Sequence, residues 1–230
     1  MVTLNEGLLK LYRRILYNMS EALQPFLNLQ LRTGNPTQKN KPLMIVGPSC
    51  VGKKGIINKL KQKYPNLIYI LPSCTTRPKM NNEIDGVDYY FITKEEFNKK
   101  KNENKDLICN QEKDNNYYSL SKDKLREVAN NSNNKIIIVN QNISNVDTIK
   151  DAFDFNYVAI LSPSEGELRN RLISKGIKNE DLDKKMEKCI KEIQMINGAN
   201  YINYRIVNFN EERTLNKIEA HLKEMYPHFF

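Results

Sequence analysis

Five short, continuously apolar runs constrain the fold of this chain more than any other feature. They lie at residues 43–47 (LMIVG), 67–71 (LIYIL), 135–140 (KIIIVN), 157–162 (YVAILS) and 204–209 (YRIVNF). A strand that is apolar at successive positions must bury both of its faces, which is the pattern of a parallel sheet covered by helices on each side. Helical stretches fall between the runs: residues 53–63, LRNRLISKG and EDLDKKMEKCIKEIQMI joined near Gly176, and 211–225. The alternation predicts an α/β fold, a three-layer α/β/α sandwich with a parallel five-stranded core sheet. About sixty mostly polar residues separate the second and third runs. That is too long for a plain loop, so residues 73–134 are expected to form an inserted subdomain.

The first forty residues stand apart. Residues 3–31 read as a helix, with Thr3 and Glu6 as a capping box and Leu8, Tyr12, Ile15, Leu16, Met19 and Leu23 on one apolar stripe. Pro25 is expected to bend it, and RTGNPTQKNKP (32–42) reads as a linker. The division expected is an extension over 1–40 and a body over 41–230, with the amphipathic helix available to a protein partner. The tripeptide Leu11-Tyr12-Arg13 is similar to that of the small mitochondrial LYR-motif proteins. Lys10, Arg13 and Arg14 suit a mitochondrial targeting helix, whereas Glu6 and Glu21 do not.

Charge and cysteine usage exclude several classes. The net charge is +9, but lysine is scattered through every segment and forms no basic stripe, so no nucleic-acid partner is expected. Cysteines 50, 74, 109 and 189 form no CxxC pair and there are two histidines, which argues against a metal cluster and a disulfide framework. An intracellular, reducing compartment follows, with cytoplasm and mitochondrion both open. No run of 18 apolar residues exists, so no transmembrane segment is expected.

The first apolar run ends in Gly47-x-x-x-x-Gly52-Lys53 and opens a helix. This is the arrangement in which a glycine-rich loop turns successive N–H groups onto phosphate and a helix N-terminus adds partial positive charge. Gly47, Ser49, Cys50, Val51, Gly52 and Lys53 are therefore expected at the phosphates of ATP, with Lys53 reaching the β and γ groups. The next residue is Lys54, where a hydroxyl normally ligates Mg²⁺, and a lysine cannot do so. Cys50 takes the place of a loop glycine. At a helix N-terminus beside two lysines its thiol is expected to react faster than that of Cys189.

SCTTRPKMNNEIDGVDYYF (73–91) resembles the monophosphate-binding segment of guanylate kinases, S-x-T-T-R-x-P-R-x-G-E-x-x-G-x-D-Y-x-F, at Ser73, Thr75, Thr76, Arg77, Glu83, Gly86, Asp88, Tyr89 and Phe91. SPSEGELRNRLISKG is similar to the family's P-P-S-x-x-x-L-x-x-R-L-x-x-R-G at Pro163, Ser164, Leu168, Arg171, Leu172 and Gly176, and RIVN to its last strand. The resemblance implies transfer of the γ-phosphoryl of ATP to GMP. It implies Ser73, Arg77, Tyr89 and Tyr118 at the GMP, Lys53 and Arg171 as catalytic cations, a lid over residues 165–190, and Asn208 near the adenine.

The chain also departs from that pattern. A phosphate-clamping arginine is Met80, with Asn81 and Asn82 beside it in place of the turn's proline and glycine. The guanine-reading glutamate falls on Cys109, with Glu112 or Asp114 as substitutes. The two aspartates after the third run are Asn140 and Asn142, in Val139-Asn140-Gln141-Asn142, and two lid arginines are Lys175 and Lys185. No metal ligand is assigned. Two expectations stand: a catalytically impaired, nucleotide-binding protein acting as a structural or protein-binding subunit, with a bound nucleotide or no cofactor; or a divergent active GMP kinase using ATP and Mg²⁺.

Overall fold

The structure, a computed structural model, describes residues 41–230 except 104, 114, 132–134 and 151–152. The predicted N-terminal helix and linker, with their capping box and apolar stripe, lie outside the described residues up to position 40.

The first strand, β1 (Leu43–Val46), is the centre of the sheet. Its four side chains are fully buried; Leu43 and Ile45 enter the apolar layer on one face, Met44 and Val46 the layer on the other. At roughly 1.5–3 kcal/mol for each fully buried aliphatic side chain, such a strand belongs nowhere but between two helical layers. The sheet runs β2 (Ile68–Ile70), β7 (Ile136–Asn140), β1, β8 (Asn156–Leu161), β9 (Tyr204–Val207), and every pairing is parallel. This is the five-stranded α/β core expected from the apolar runs. The last strand stops two residues early, because Phe209 turns back, its N–H donating to the Val207 carbonyl, and its ring is exposed.

One face carries α1 (Lys53–Lys63), α4 (Glu165–Ser174), the first part of α5 (Asn179–Gly198) and α6 (Glu211–Met225). Local chemistry sets their ends. Ser164 caps α4 by accepting from the Glu167 N–H, and α4 closes near Gly176, whose φ of 77° suits a residue without Cβ. Asn210 caps α6, accepting from the N–H groups of Glu212 and Arg213. The start of α1 differs: Gly52 provides no side-chain cap and the first turn holds no acid.

The insertion forms its own antiparallel-dominated sheet, ordered β4 (Tyr89–Phe91), β3 (Ser73–Thr75), β6 (Asn116–Ser121), β5 (Leu107–Lys113). Helix α2 (Lys94–Asn102) packs on it through Phe97, whose ring stacks on Tyr117 with centroids 4.9 Å apart. The buried carboxylate of Asp106 accepts from the Ser121 hydroxyl and the Asp123 N–H, tying this sheet to the start of α3 (Lys122–Asn131).

Candidate active site

The loop between β1 and α1 is shaped by three residues in unusual backbone regions. Gly47 has φ 152°, and a Cβ there would lie 2.2 Å from the carbonyl oxygen of Ile160 on the adjacent strand. Gly52 has φ 96°, with the Asn208 amide nitrogen 2.6 Å from where a Cβ would be. Between them Cys50 adopts φ 62°, a left-handed conformation that costs a non-glycine residue about 1–2 kcal/mol.

Asn208, at the end of β9, braces this loop. Its amide nitrogen donates to the Val51 carbonyl at 2.8 Å and its carbonyl oxygen accepts from the Thr214 hydroxyl at 2.8 Å, the residue being only 3% exposed. The resemblance put Asn208 at the adenine. It does line the cavity, yet both polar ends of its side chain are committed to the protein.

Lys53 is folded across the loop, donating to the carbonyls of Gly47 and, at 2.8 Å, Pro48. Burial lowers its ammonium pKa to about 8, against the opposing pull of Glu192, Cys189 and Cys50. Glu192 on α5 is 2% exposed, both its oxygens lack a hydrogen-bond partner among the described residues, and burial raises its carboxyl pKa. Cys189, one turn away, is buried with its thiol pKa raised by burial, and the Ser49 N–H donates to its sulfur. The underside of the loop therefore rests on α5. Ser49 and Val51 belong to the loop but do not line the cavity in front of it.

That cavity has a volume of about 580 Å³ and is walled by Lys53, Lys54, Arg171, Lys175 and Asn208 with Cys50 and Gly52 at its floor. Arg171 is placed by α4: its Nε donates to Glu167 at 2.8 Å and its Nη2 to the Asn208 carbonyl at 2.9 Å. A second cavity of about 340 Å³ holds Ser73, Tyr89 and Tyr118. The rings of Tyr89 and Tyr118 meet edge to face at 6.0 Å. Lys53 and Asn140 line both cavities. Arg77 lies behind the tyrosines, its guanidinium 5.6 Å from the Tyr89 ring centre and paired to Glu83 at 2.6 Å. The hydrogen bond to Glu83 raises the Arg77 pKa further and lowers that of Glu83, on which the Met80 N–H and the charge of Lys54 also act.

This arrangement of loop, flanking cations and second cleft is reflected in the comparisons with known proteins. The family model for guanylate kinase matches residues 39–226. The chain belongs to the guanylate kinase family. It is 35% identical to the guanylate kinase of Clostridium perfringens (strain SM101 / Type A) over 187 residues, 80% of this chain and 83% of the relative. It is 30% identical to that of Schizosaccharomyces pombe over 200 residues, 86% of this chain and 98% of the relative. The crystal structure of guanylate kinase from Anaplasma phagocytophilum shares the fold, with a TM-score of 0.57 at 23% identity, over 82% of this chain and 87% of the other.

Against the guanylate kinase pattern, the segment after β7 brings no carboxylate to the cavities. Asn140 and Asn142 stand where the pattern has aspartates and, with Gln141, line the second cavity. The β5 residue that lines it is Gln111, paired with Tyr118 across the hairpin. Glu112 pairs with Tyr117 instead, is exposed and does not line the cavity; Asp114 and the side chain of Cys109 lie outside the described residues. A register shift between Ile108 and Gln111 sets which residue faces the cleft, and a register shift leaves no mark in a pattern of residue types. Met80 is 56% exposed, and its thioether supplies no cation where the pattern has an arginine. Glu192 was also missed, although an acid beside the apolar stripe of Leu182, Met186, Cys189 and Ile196 was the available signal.

Mg²⁺, which the resemblance implies, does not fit these residues. Its hydroxyl ligand is replaced by the ammonium of Lys54, and the nearby acids by neutral amides. Among the described residues, no three His, Cys, Asp or Glu side chains gather where they could hold an ion.

Proposed function

We propose that this chain is a nucleotide-binding member of the guanylate kinase family in which phosphoryl transfer to GMP is impaired, and that it acts as a structural or protein-binding subunit. The observation that carries this reading is the lining of the second cavity by Asn140, Gln141 and Asn142, with Asn140 shared by both cavities, so that this segment offers amides and no carboxylate. Phosphoryl transfer depends on positioned charge, and removing one preorganised stabilising group typically costs about 10²–10³ in turnover. Here several are replaced together. The loop, Lys53 and Arg171 support retained binding of a nucleoside triphosphate at the larger cavity, with Ser73, Tyr89, Tyr118 and Arg77 around the second. Residues 1–40 are the segment through which a protein partner would dock. Cysteine usage supports a reducing, intracellular compartment.

A second reading, a divergent active nucleoside monophosphate kinase, is favoured by one observation: Lys53 and Asn140 are common to both cavities, so donor and acceptor would abut. The deciding experiment is GDP formation from GMP, ATP and Mg²⁺ by the full chain, beside Lys53→Ala and the double variant Asn140→Asp/Asn142→Asp. Wild-type turnover near that of Lys53→Ala, raised in the double variant, is expected. Robust wild-type turnover lost in Lys53→Ala overturns the impaired reading.

A further inference from the structure

The first turn of α1 is electrostatically inverted. A helix N-terminus carries partial positive charge and is ordinarily complemented by an acid or a side-chain cap. Here the turn holds Lys53 and Lys54, with no acid and no side-chain cap. Two ammonium groups at the positive end of a helix are unfavourable unless an anion sits between them. The cavity in front of them supplies the space, about 580 Å³, and two further cations, Arg171 and Lys175. The carboxylate in its lining, Glu211, is already paired with Lys59 at 2.5 Å. Lys54 is exposed in this lining and follows Lys53, which lines the second cavity as well. The terminal phosphate of a bound triphosphate would lie near these two lysines if it is to approach the second cavity.

We infer that Lys54 stands in for the divalent cation: the cavity takes a nucleoside triphosphate without Mg²⁺, the Lys54 ammonium neutralising the terminal phosphates. The inference rests on the proposed nucleotide-binding reading and adds to it an independence from metal that the family resemblance would not suggest. The substitution is chemically coherent. A magnesium ion at a phosphate loop needs a protein hydroxyl and nearby carboxylates, and an ammonium at the hydroxyl's position repels the ion as it attracts phosphate. Asn140 then follows, since a carboxylate in the lining it shares with Lys54 would compete with the triphosphate for that ammonium. Lysine suits this role because it binds phosphate as a point charge and needs no fixed fork geometry.

The test is calorimetric titration of ATP into the full chain at neutral pH, in EDTA and in Mg²⁺, for wild type, Lys54→Met and Lys53→Ala. Wild-type affinity in EDTA is expected within about threefold of that in Mg²⁺. Lys54→Met, which keeps the stem and removes the charge, is expected to weaken binding in EDTA by about tenfold or more, the effect of one charge-assisted phosphate contact. Lys54 is exposed, so the variant folds, and a thermal melt verifies this. Wild-type binding at least tenfold weaker in EDTA than in Mg²⁺ overturns this inference alone, as does a Lys54→Met variant that binds like wild type in EDTA. No binding in either buffer, or binding that Lys53→Ala leaves unchanged, overturns the nucleotide-site reading and this inference with it.

Discussion

Replacing Asn208 by alanine separates two roles for one residue: a brace for the phosphate loop, or a contact for the adenine. The brace role has a calculable consequence. Asn208 is 3% exposed and links β9, the loop and α6 through two 2.8 Å hydrogen bonds, one to the Val51 carbonyl and one from the Thr214 hydroxyl. Alanine leaves both partners buried and unmatched. At about 1–3 kcal/mol for each orphaned group, eased by what the Thr214 hydroxyl recovers on rotating, the loss is about 2–4 kcal/mol. For a domain of this size that lowers the melting temperature by roughly 5–15 °C. Thr214→Val, which removes one of the two bonds and keeps the shape, is expected to cost about 1 kcal/mol. In the double variant the orphaned hydroxyl is gone, so the two losses are expected to fall short of additivity by about 1 kcal/mol. Urea melts of the four proteins supply the cycle, and ATP titration of each supplies the binding comparison. A loss below about 1 kcal/mol in Asn208→Ala, with ATP affinity nevertheless collapsing, would refute the brace and return Asn208 to the base.

Two further predictions concern the groups around the loop. Lys53 titrates near pH 8 in the free protein because burial disfavours its charge, and a phosphate beside it restores the ordinary value near 10.5. Binding therefore takes up a proton above pH 8, and ATP affinity is expected to be about tenfold weaker at pH 9 than at pH 7; a flat profile over that range refutes it. For folding the sign is opposite: the cost of the charged Lys53 is present in full below pH 8 and is relieved as pH rises toward 10.5. Cys50 lies partly exposed at the cavity floor, whereas Cys189 is buried with its thiol pKa raised. Iodoacetamide is expected to label Cys50 at least tenfold faster, with saturating ATP suppressing Cys50 alone, as read by peptide mass spectrometry; equal labelling, or no protection, contradicts the site.

The five core strands were legible because each is apolar on successive residues, and only a two-sided burial permits that. The loop was legible because Gly47 and Gly52 occupy positions where a side chain would strike the Ile160 carbonyl or the Asn208 amide. The acceptor side was harder to read. The residue that faces it from β5 is fixed by the register shift between Ile108 and Gln111, and this is set by the hairpin as a whole. The position of Arg77 was legible, but its engagement with Glu83 was not, since that depends on a turn bringing residues six apart within 2.6 Å. Glu192 was hidden by the same logic: its acidity suggests a solvated face, and only the packing of α5 beneath the loop buries it.

The pattern of what is kept and what is changed points in one direction. The loop backbone, Lys53, Arg171 and the Asn208 brace are all kept around the larger cavity. The altered positions are Asn140 and Asn142, which line the second cavity, and Met80, which is exposed and stands where the resemblance implies a clamp for the acceptor phosphate. Interactions that hold ground state and transition state equally raise affinity and leave the chemical step unchanged. Losing the others removes stabilisation that exists only during transfer. On the proposed reading, a site changed in this way would keep its nucleotide and lose its turnover. The braced loop would then serve binding, because two lysines at the start of α1 favour an anion there. A bound nucleotide would add stability that grows with the logarithm of its concentration relative to its Kd.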